Sequence, residues 1–470
     1  MSSATPIPGS RPVKNAKLSL FDIPNTDVSV LNRRYVKIQP FTTGITPVDF
    51  RVQAQSGYCD LSRSYLEVEL KLKKSDGTRL SAAATSQIMP ANNLAHTMIK
   101  QCNVRLGDTL ISPQTDTYAY KSYFETVLHH TRQEGKDVLQ TQGWFNGLDP
   151  PEALTANQLD SGTPHADYTA LPQHRKDYIA DGRKEIAKLR DKSRFYKFKP
   201  FNEVFYMSKL LVPGVPLNIQ LFFHNPNFFM VRHRGTDVCR LQKEDVTVSF
   251  MLCTVTLLPS LERELALKQT KSPVSYPLVR GEMRTYTLGT NDRNLEINNP
   301  FNDRIPNLVV IGMVTSNAYN GTVTSQPFRF QTFNLSSIQQ FVRGEAYPYQ
   351  TLELKHDAND RDILGYWRFA EATGSLNGKR NMMLPEEWGR GKGGTLFAFD
   401  NTANGLLNSA VLNPKLNGEL RYVLNFGAVP GSNATVLVYG EFEELLEIDS
   451  NRVVLYNLFE SPGRVQRQLG

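Results

Sequence analysis

Alternation is the dominant pattern along this chain. In SYLEVELKLKK, Leu66, Val68, Leu70 and Leu72 fall on one face and Glu67, Glu69 and Lys71 on the other. A period of two is the signature of a half-buried strand. MIKQCNVRLGDTLI continues it, with Cys102, Val104 and Leu106 inward and Asn103 and Arg105 outward. ELRYVLNF places Leu420, Tyr422, Leu424 and Phe426 on one face. DVTVSFMLCTVTLLP is apolar on both faces, as a strand inside a sandwich is. SKLLVPGVPLNIQLFF reads as two strands broken at Pro213-Gly214. EMRTYTLG, NLVVIGMV, PFRFQTF, SIQQFVRG, TLFAF and NATVLVYGEFEEL extend the same grammar towards the C-terminus.

Helical periodicity is scarce. DTYAYKSYFETVLHH has Tyr120, Phe124, Val127 and Leu128 near helical spacing and predicts a short helix. RKEIAKLRDK is amphipathic with few apolar positions, and PSLERELALKQ, Pro259 to Gln269, reads as a connecting helix. The stretch Gln133 to Pro172, full of Gly, Pro, Asp and Asn, is expected to be a long surface insertion. The chain therefore divides near residue 265 into two strand-rich halves. Each holds about the eight short strands of one antiparallel sandwich or jelly roll.

Composition agrees with an all-β fold. The 470 residues are 40% hydrophobic, 21% charged and 10% aromatic, which suits folded domains rich in strands. The formal charge of +7 is modest, and it collects in two places. Residues 1–40 carry Arg11, Lys14, Lys17, Arg33, Arg34 and Lys37 against Asp22 and Asp27. Arg183 to Lys199 holds eight basic residues against Glu185 and Asp191, which reads as a solvated face. The first 19 residues, rich in Pro, Ser and basic residues, read as an extended arm. No apolar h-region opens the chain, so secretion by a signal peptide is not expected. No run of 18 apolar residues occurs, so no membrane-spanning helix is expected either.

Candidate chemistry is thin. Cys59, Cys102, Cys239 and Cys253 form no CxxC, and buried free thiols are expected. GRGKGG, Gly389 to Gly394, suggests a phosphate cradle, but Lys392 is followed by Gly393 rather than Ser or Thr. A strand follows where a phosphate loop needs a helix. The expectation is a mobile glycine turn ahead of TLFAFD, with Arg390 and Lys392 on an exposed loop. His129 and His130 are adjacent and point apart, and no HExxH occurs, so no metal site is expected. Glu441, Glu443, Glu444, Glu447 and Asp449 read as a solvated acidic rim, with Glu443-Glu444 opening a turn. The aromatic stretch GYWRFAEATG is expected to pack. A jelly-roll carbohydrate-binding module or glycosidase using that stretch and the acidic rim is the alternative reading.

Several segments together resemble the major capsid proteins of Polinton/Maverick elements and adintoviruses. They are KLSLFDIPNTDVSV, SYLEVELKLK followed by DGT, NVRLGDTLISPQTDTYAYKSYFETVL, VVIGMVTSNAYNG with PFRFQTFNL, GGTLFAFD, and VLVYGEFEELLEIDSNRVVLY. They recur in the family's order from Leu18 to Tyr456; Gln133 to Lys199 and the tail Asn457 to Gly470 depart from it. The resemblance implies a double jelly roll with a few short helices and long loops. Its expected layout is a flexible basic arm over 1–18, a first roll over 19–265 with an insertion near 133–199, a second roll over 266–452, and a tail over 453–470. It also implies a non-enzymatic protein without cofactors, which forms trimers of pseudo-hexagonal outline. Such trimers tile an icosahedral virion shell around double-stranded DNA, alongside penton and minor capsid proteins. Arg11, Lys14 and Lys17 are the candidates for contact with DNA or the shell interior.

Overall fold

The computed structural model describes residues 16–456, apart from 19, 22, 24, 43, 81–86, 112–114, 152–153, 155–165, 192, 234, 237, 356–361, 379–380, 406 and 408–410. Arg11, Lys14 and the stretch from Asn457 onward therefore lie outside the described residues.

Eight principal strands come from the first half: β1 (Val30–Ile38), β2 (Val48–Val52), β3 (Tyr65–Leu70), β4 (Ile99–Leu106), β5 (Thr109–Leu110), β6 (Arg194–Phe198), β7 (Leu217–Phe223) and β8 (Val246–Leu257). They pair antiparallel as β1-β8-β3-β6 and β2-β7-β4-β5. Eight more follow: β9 (Val274–Leu288), β10 (Asn294–Asn298), β11 (Leu308–Thr315), β12 (Leu335–Val342), β13 (Glu345–Ala346), β14 (Leu396–Asp400), β15 (Leu420–Phe426) and β16 (Ala434–Ile448). Their sheets run β9-β16-β11-β14 and β10-β15-β12-β13, again antiparallel. In each set the first strand pairs with the last, the second with the seventh, the third with the sixth and the fourth with the fifth. That nesting is a jelly roll, and the chain contains two. Among the described residues no strand of one set pairs with a strand of the other.

The alternation read from the sequence is what closes each sandwich. Leu66, Val68 and Leu70 of β3 are buried, and so are Leu217, Ile219, Leu221 and Phe223 of β7. Rings bridge the layers: Phe50 of β2 meets Phe250 of β8 at 6.3 Å, and Phe399 of β14 meets Tyr422 of β15 at 5.5 Å. Burying each such side chain is worth about 1.5–3 kcal/mol. The strand β9 accepts Pro277, which lacks an N–H, because it is the edge of its sheet.

Four longer helices accompany the sheets: α1 (Tyr118–His129), α2 (Gln173–Asp191), α3 (Pro259–Lys271) and α4 (Ile363–Ala372). Helix α3 joins the two rolls, as PSLERELALKQ predicted. Helix α1 belongs to the first half in sequence yet packs on the second. Tyr123 stacks on Phe328 at 4.2 Å, and Phe124 lies 5.2 Å from Phe330 and 6.0 Å from Tyr439. Gly312 of β11 makes room for it. A Cβ there would stand 2.7 Å from Phe330 and 3.1 Å from Phe124.

Three expectations differ from what is observed. PFRFQTF is not a strand; Phe328 and Phe330 are buried because α1 covers them, so aromatic burial imitates alternation. SKLLVPGVPLNIQLFF contributes one strand, β7, and its first part only a bridge from Leu211 to Cys59. The stretch from Gln133 is not confined to the surface. Leu139, Trp144, Phe145, Leu148 and Leu154 are buried, and the backbone N–H and C=O of Phe145 pair with the buried Asn92 side chain.

Candidate functional site

The glycine-rich loop was the strongest chemical suggestion in the sequence, and the structure gives it an anchor. Asp149, almost wholly buried, accepts a 2.7 Å hydrogen bond from the Gly393 N–H. The same carboxylate receives Nε2 of His174 at 3.2 Å, Nε and Nη2 of Arg175 at 2.7 and 3.0 Å, and Nη1 of Arg329 at 3.3 Å. Arg175 and Arg329 also donate to the Gly391 carbonyl, at 3.3 and 3.2 Å. Burial pushes the Asp149 carboxyl up, but the bonds from His174 and Arg175 and the charges of Arg175 and Arg329 outweigh it. The carboxyl is held below its usual range, so it is ionised at neutral pH. The loop is therefore a clamped turn, not a mobile one. Gly389 and Gly391, at φ of 131° and 70°, supply the reversal. Arg390 is exposed and Lys392 half-buried. The N–H groups of Gly393 and Gly394 go to Asp149 and to the Glu387 carbonyl, so they do not cradle a phosphate.

A second polar cluster fills the cleft between the rolls, where a cavity of about 630 Å³ opens. Helix α1 presents Lys121, Glu125 and His129 at successive turns, so one face carries all three. A short 3-10 turn, Glu203–Tyr206, brings Glu203 from the first roll, and β16 brings Tyr439 and Glu441 from the second. Nζ of Lys121 lies 3.0 Å from Oε1 of Glu203 and 3.7 Å from Oε1 of Glu125. Nε2 of His129 is 3.0 Å from Oε1 of Glu441. The Tyr439 hydroxyl lies 3.2 Å from Oε1 of Glu125 and 3.0 Å from Oε1 of Glu441. Its single proton serves one of those carboxylates. The other contact forms when the Glu125 carboxyl itself carries a proton and donates.

The Glu125 environment favours that proton. Burial pushes its carboxyl up to about 7, with Lys121 and His129 opposing and Glu203 and Glu441 adding to the rise. Gly281 of β9 lets these groups meet, since a Cβ there would stand 2.7 Å from both Oε1 of Glu125 and the Tyr439 hydroxyl.

This cluster overturns the reading of Glu441 as a solvated rim: it is buried and bonded. Glu443 and Glu444 open no turn, because β16 runs through them to Ile448. Glu443 instead accepts from N and Nδ2 of Asn413 at 2.6 and 3.0 Å. GYWRFAEATG forms most of α4, with Trp367 about half exposed. Trp367 does not line the cavity that holds Glu441 and Glu443, so the two halves of a glycosidase reading do not converge. His129 and His130 do point apart, the latter towards Glu134 at 3.5 Å. All four cysteines are buried and none forms a disulfide among the described residues. Lys17 sits exposed in a 3-10 turn, Ala16–Leu18.

Among the described residues no three His, Cys, Asp or Glu side chains are placed to hold a metal ion. Nor, among them, is any helix long and apolar enough to cross a membrane. Sequence reading missed Glu125, Glu203 and Lys121. The one local signal was Glu441, a carboxylate directly after the apolar run ATVLVYG on a central strand.

Comparison with known proteins places the architecture. The chain is similar in structure to a chain of the Sputnik virophage, with a TM-score of 0.59 at 10% identity, covering 100% of this chain and 98% of that one. It is similar to the mavirus major capsid protein, with a TM-score of 0.53 at 10% identity and coverage of 98% and 100%. The faustovirus major capsid protein gives a TM-score of 0.50 at 8% identity, covering 91% of this chain and 92% of that one. In sequence, the chain is 22% identical over 450 residues to an uncharacterized protein of Caenorhabditis elegans, covering 92% of this chain and 98% of that one. No family model matches. At such identities the structural likeness establishes the fold, a double jelly roll.

Proposed function

We propose that this chain is a major capsid protein of the Polinton/Maverick and adintovirus kind, a shell subunit and not an enzyme. The observation that carries the reading is two complete jelly rolls in one chain, the arrangement it shares almost end to end with the mavirus and faustovirus major capsid proteins.

On this reading, residues 19–265 form the first roll, 266–452 the second, and 453–470 a tail. Three chains associate into a pseudo-hexagonal trimer, and trimers tile an icosahedral virion shell with penton and minor capsid proteins at its special positions. Two features support self-association. The long strands β1 and β9 stand at sheet edges, where another copy of the chain can make contact. Leu18, Leu20, Phe21 and Ile23 are exposed near the N-terminus, an apolar run of the kind that marks an interaction surface. Arg11, Lys14 and Lys17 would meet packaged double-stranded DNA through its phosphates, without sequence preference.

Mass measurement on the purified chain is expected to give trimers, and negative-stain microscopy larger sheets or shells. A strictly monomeric protein at every concentration and salt would overturn the proposal.

A further inference from the structure

The cleft between the rolls gathers carboxylates from both halves of the chain around Lys121, with the buried Arg280 guanidinium in electrostatic reach of Glu203. Four carboxylates, Glu125, Glu203, Glu441 and Glu443, line the cavity with Lys121, His129 and His130. Glu443 is answered by Asn413, and His130 turns to Glu134. The deeper set is then Glu125, Glu203 and Glu441 with Lys121 and His129. One ammonium serves two acids, at 3.0 and 3.7 Å. Oε2 of Glu203 is buried and takes no hydrogen bond, a condition rare in folded proteins because a desolvated carboxylate oxygen is costly.

The rim has the opposite character. Val279, Val411 and Leu412 are exposed apolar side chains on the wall of the same cavity, next to the buried Leu278. A volume of about 630 Å³ is that of a small-molecule site. Carboxylates below and aliphatic groups above describe the complement of an amphiphilic cation. An ammonium head donates in three directions. A methylene stem buried along the rim adds about fourfold in affinity per CH₂.

We infer that this cleft binds an organic cation with an apolar stem, an alkylammonium or diamine. Its head meets Glu203 and the Glu125–Glu441 pair, and its stem lies along Val279, Val411 and Leu412. No feature of shell building calls for such a site, so the inference stands or falls apart from the proposed capsid role.

Calorimetric titration of the full chain at pH 8, where Glu125 is ionised, tests it. Octanediamine is expected to bind saturably, one per chain, with propanediamine weaker and octanediol giving no saturable heat. Glu203→Gln is expected to weaken octanediamine about tenfold. Leu412→Ala, at an exposed position that folding does not depend on, is expected to shrink the advantage of the eight-carbon diamine while leaving propanediamine unchanged. Octanediol binding as well as octanediamine, non-saturable binding, or a folded Glu203→Gln variant that binds unchanged would each overturn the inference. So would a chain-length preference indifferent to Leu412→Ala.

Discussion

Two buried acid clusters tie elements of the first half of the chain to the second, and they are built to different degrees of completion. At Asp149 the carboxylate is saturated: two arginines, a histidine and a backbone N–H converge on it. At Glu203 one oxygen is paired with Lys121 and the other has no hydrogen bond, beside a cavity with room for a guest. Filling the carboxylate with donors turns a buried charge into a clamp, although Nδ1 of His174 is itself buried with no hydrogen bond. Leaving partners short beside open space makes a joint whose protonation and occupancy can change. The two clusters therefore predict different responses to the same kind of mutation.

The largest effect is expected at the clamp. Asp149→Ala strips the counter-charge from Arg175 and Arg329 and frees the glycine loop, so it is expected to cost about 3–5 kcal/mol in urea unfolding. A change under about 1 kcal/mol would mean the cluster is not the clamp its geometry describes.

The joint should instead reveal itself through pH. Glu125 has a folded-state pKa of about 7 against an ordinary 4.5, so between those values the folded chain holds a proton the unfolded chain has lost. Stability from this group therefore falls as pH rises through that window, by at most roughly 3 kcal/mol. The groups facing it are Lys121 and His129 on α1, Glu203 on its 3-10 turn, and Tyr439 and Glu441 on β16. Burial holds His96 and His224 down to about 3 and His233 to about 4. They act in reverse, losing stability as pH falls below their ordinary 6.5, so the wild-type curve alone is a composite. The difference between Glu125→Gln and wild type isolates Glu125. The variant is expected to gain relative stability from pH 5 to pH 8, and a pH-independent difference would remove Glu125 as the responsive group.

The unequal legibility of fold and site has a physical cause. Alternation in SYLEVELKLKK and ELRYVLNF is a local consequence of one buried face, so β3 and β15 can be read residue by residue. Burial without pairing defeats the same logic, as Phe328 and Phe330 show. So do polar loop residues satisfied inside the protein: Gly, Pro, Asp and Asn between Gln133 and Pro172 signal surface, yet Asp149 and the backbone around Phe145 find their partners internally. The cavity is less legible still. Glu125, Glu203 and Glu441 lie far apart in sequence and meet only because α1 wedges between the rolls. No spacing rule joins them.

The smallest effect belongs to the residue that first suggested chemistry. Lys392 sits half-buried between Gly391 and Gly393, and its side chain takes no part in the Asp149 network, whereas the Gly393 N–H does. Lys392→Ala is therefore expected to change stability by less than about 0.5 kcal/mol. Gly393→Ala, one residue on, would set a Cβ 2.9 Å from Oδ1 of Asp149 and 3.2 Å from both Arg329 and Pro150. Overpacking there is expected to cost about 1–3 kcal/mol, measured by the same urea unfolding. If the lysine mattered and the glycine did not, the loop would be working through its charge. The opposite order means that it works through its backbone, as one more arm of the clamp.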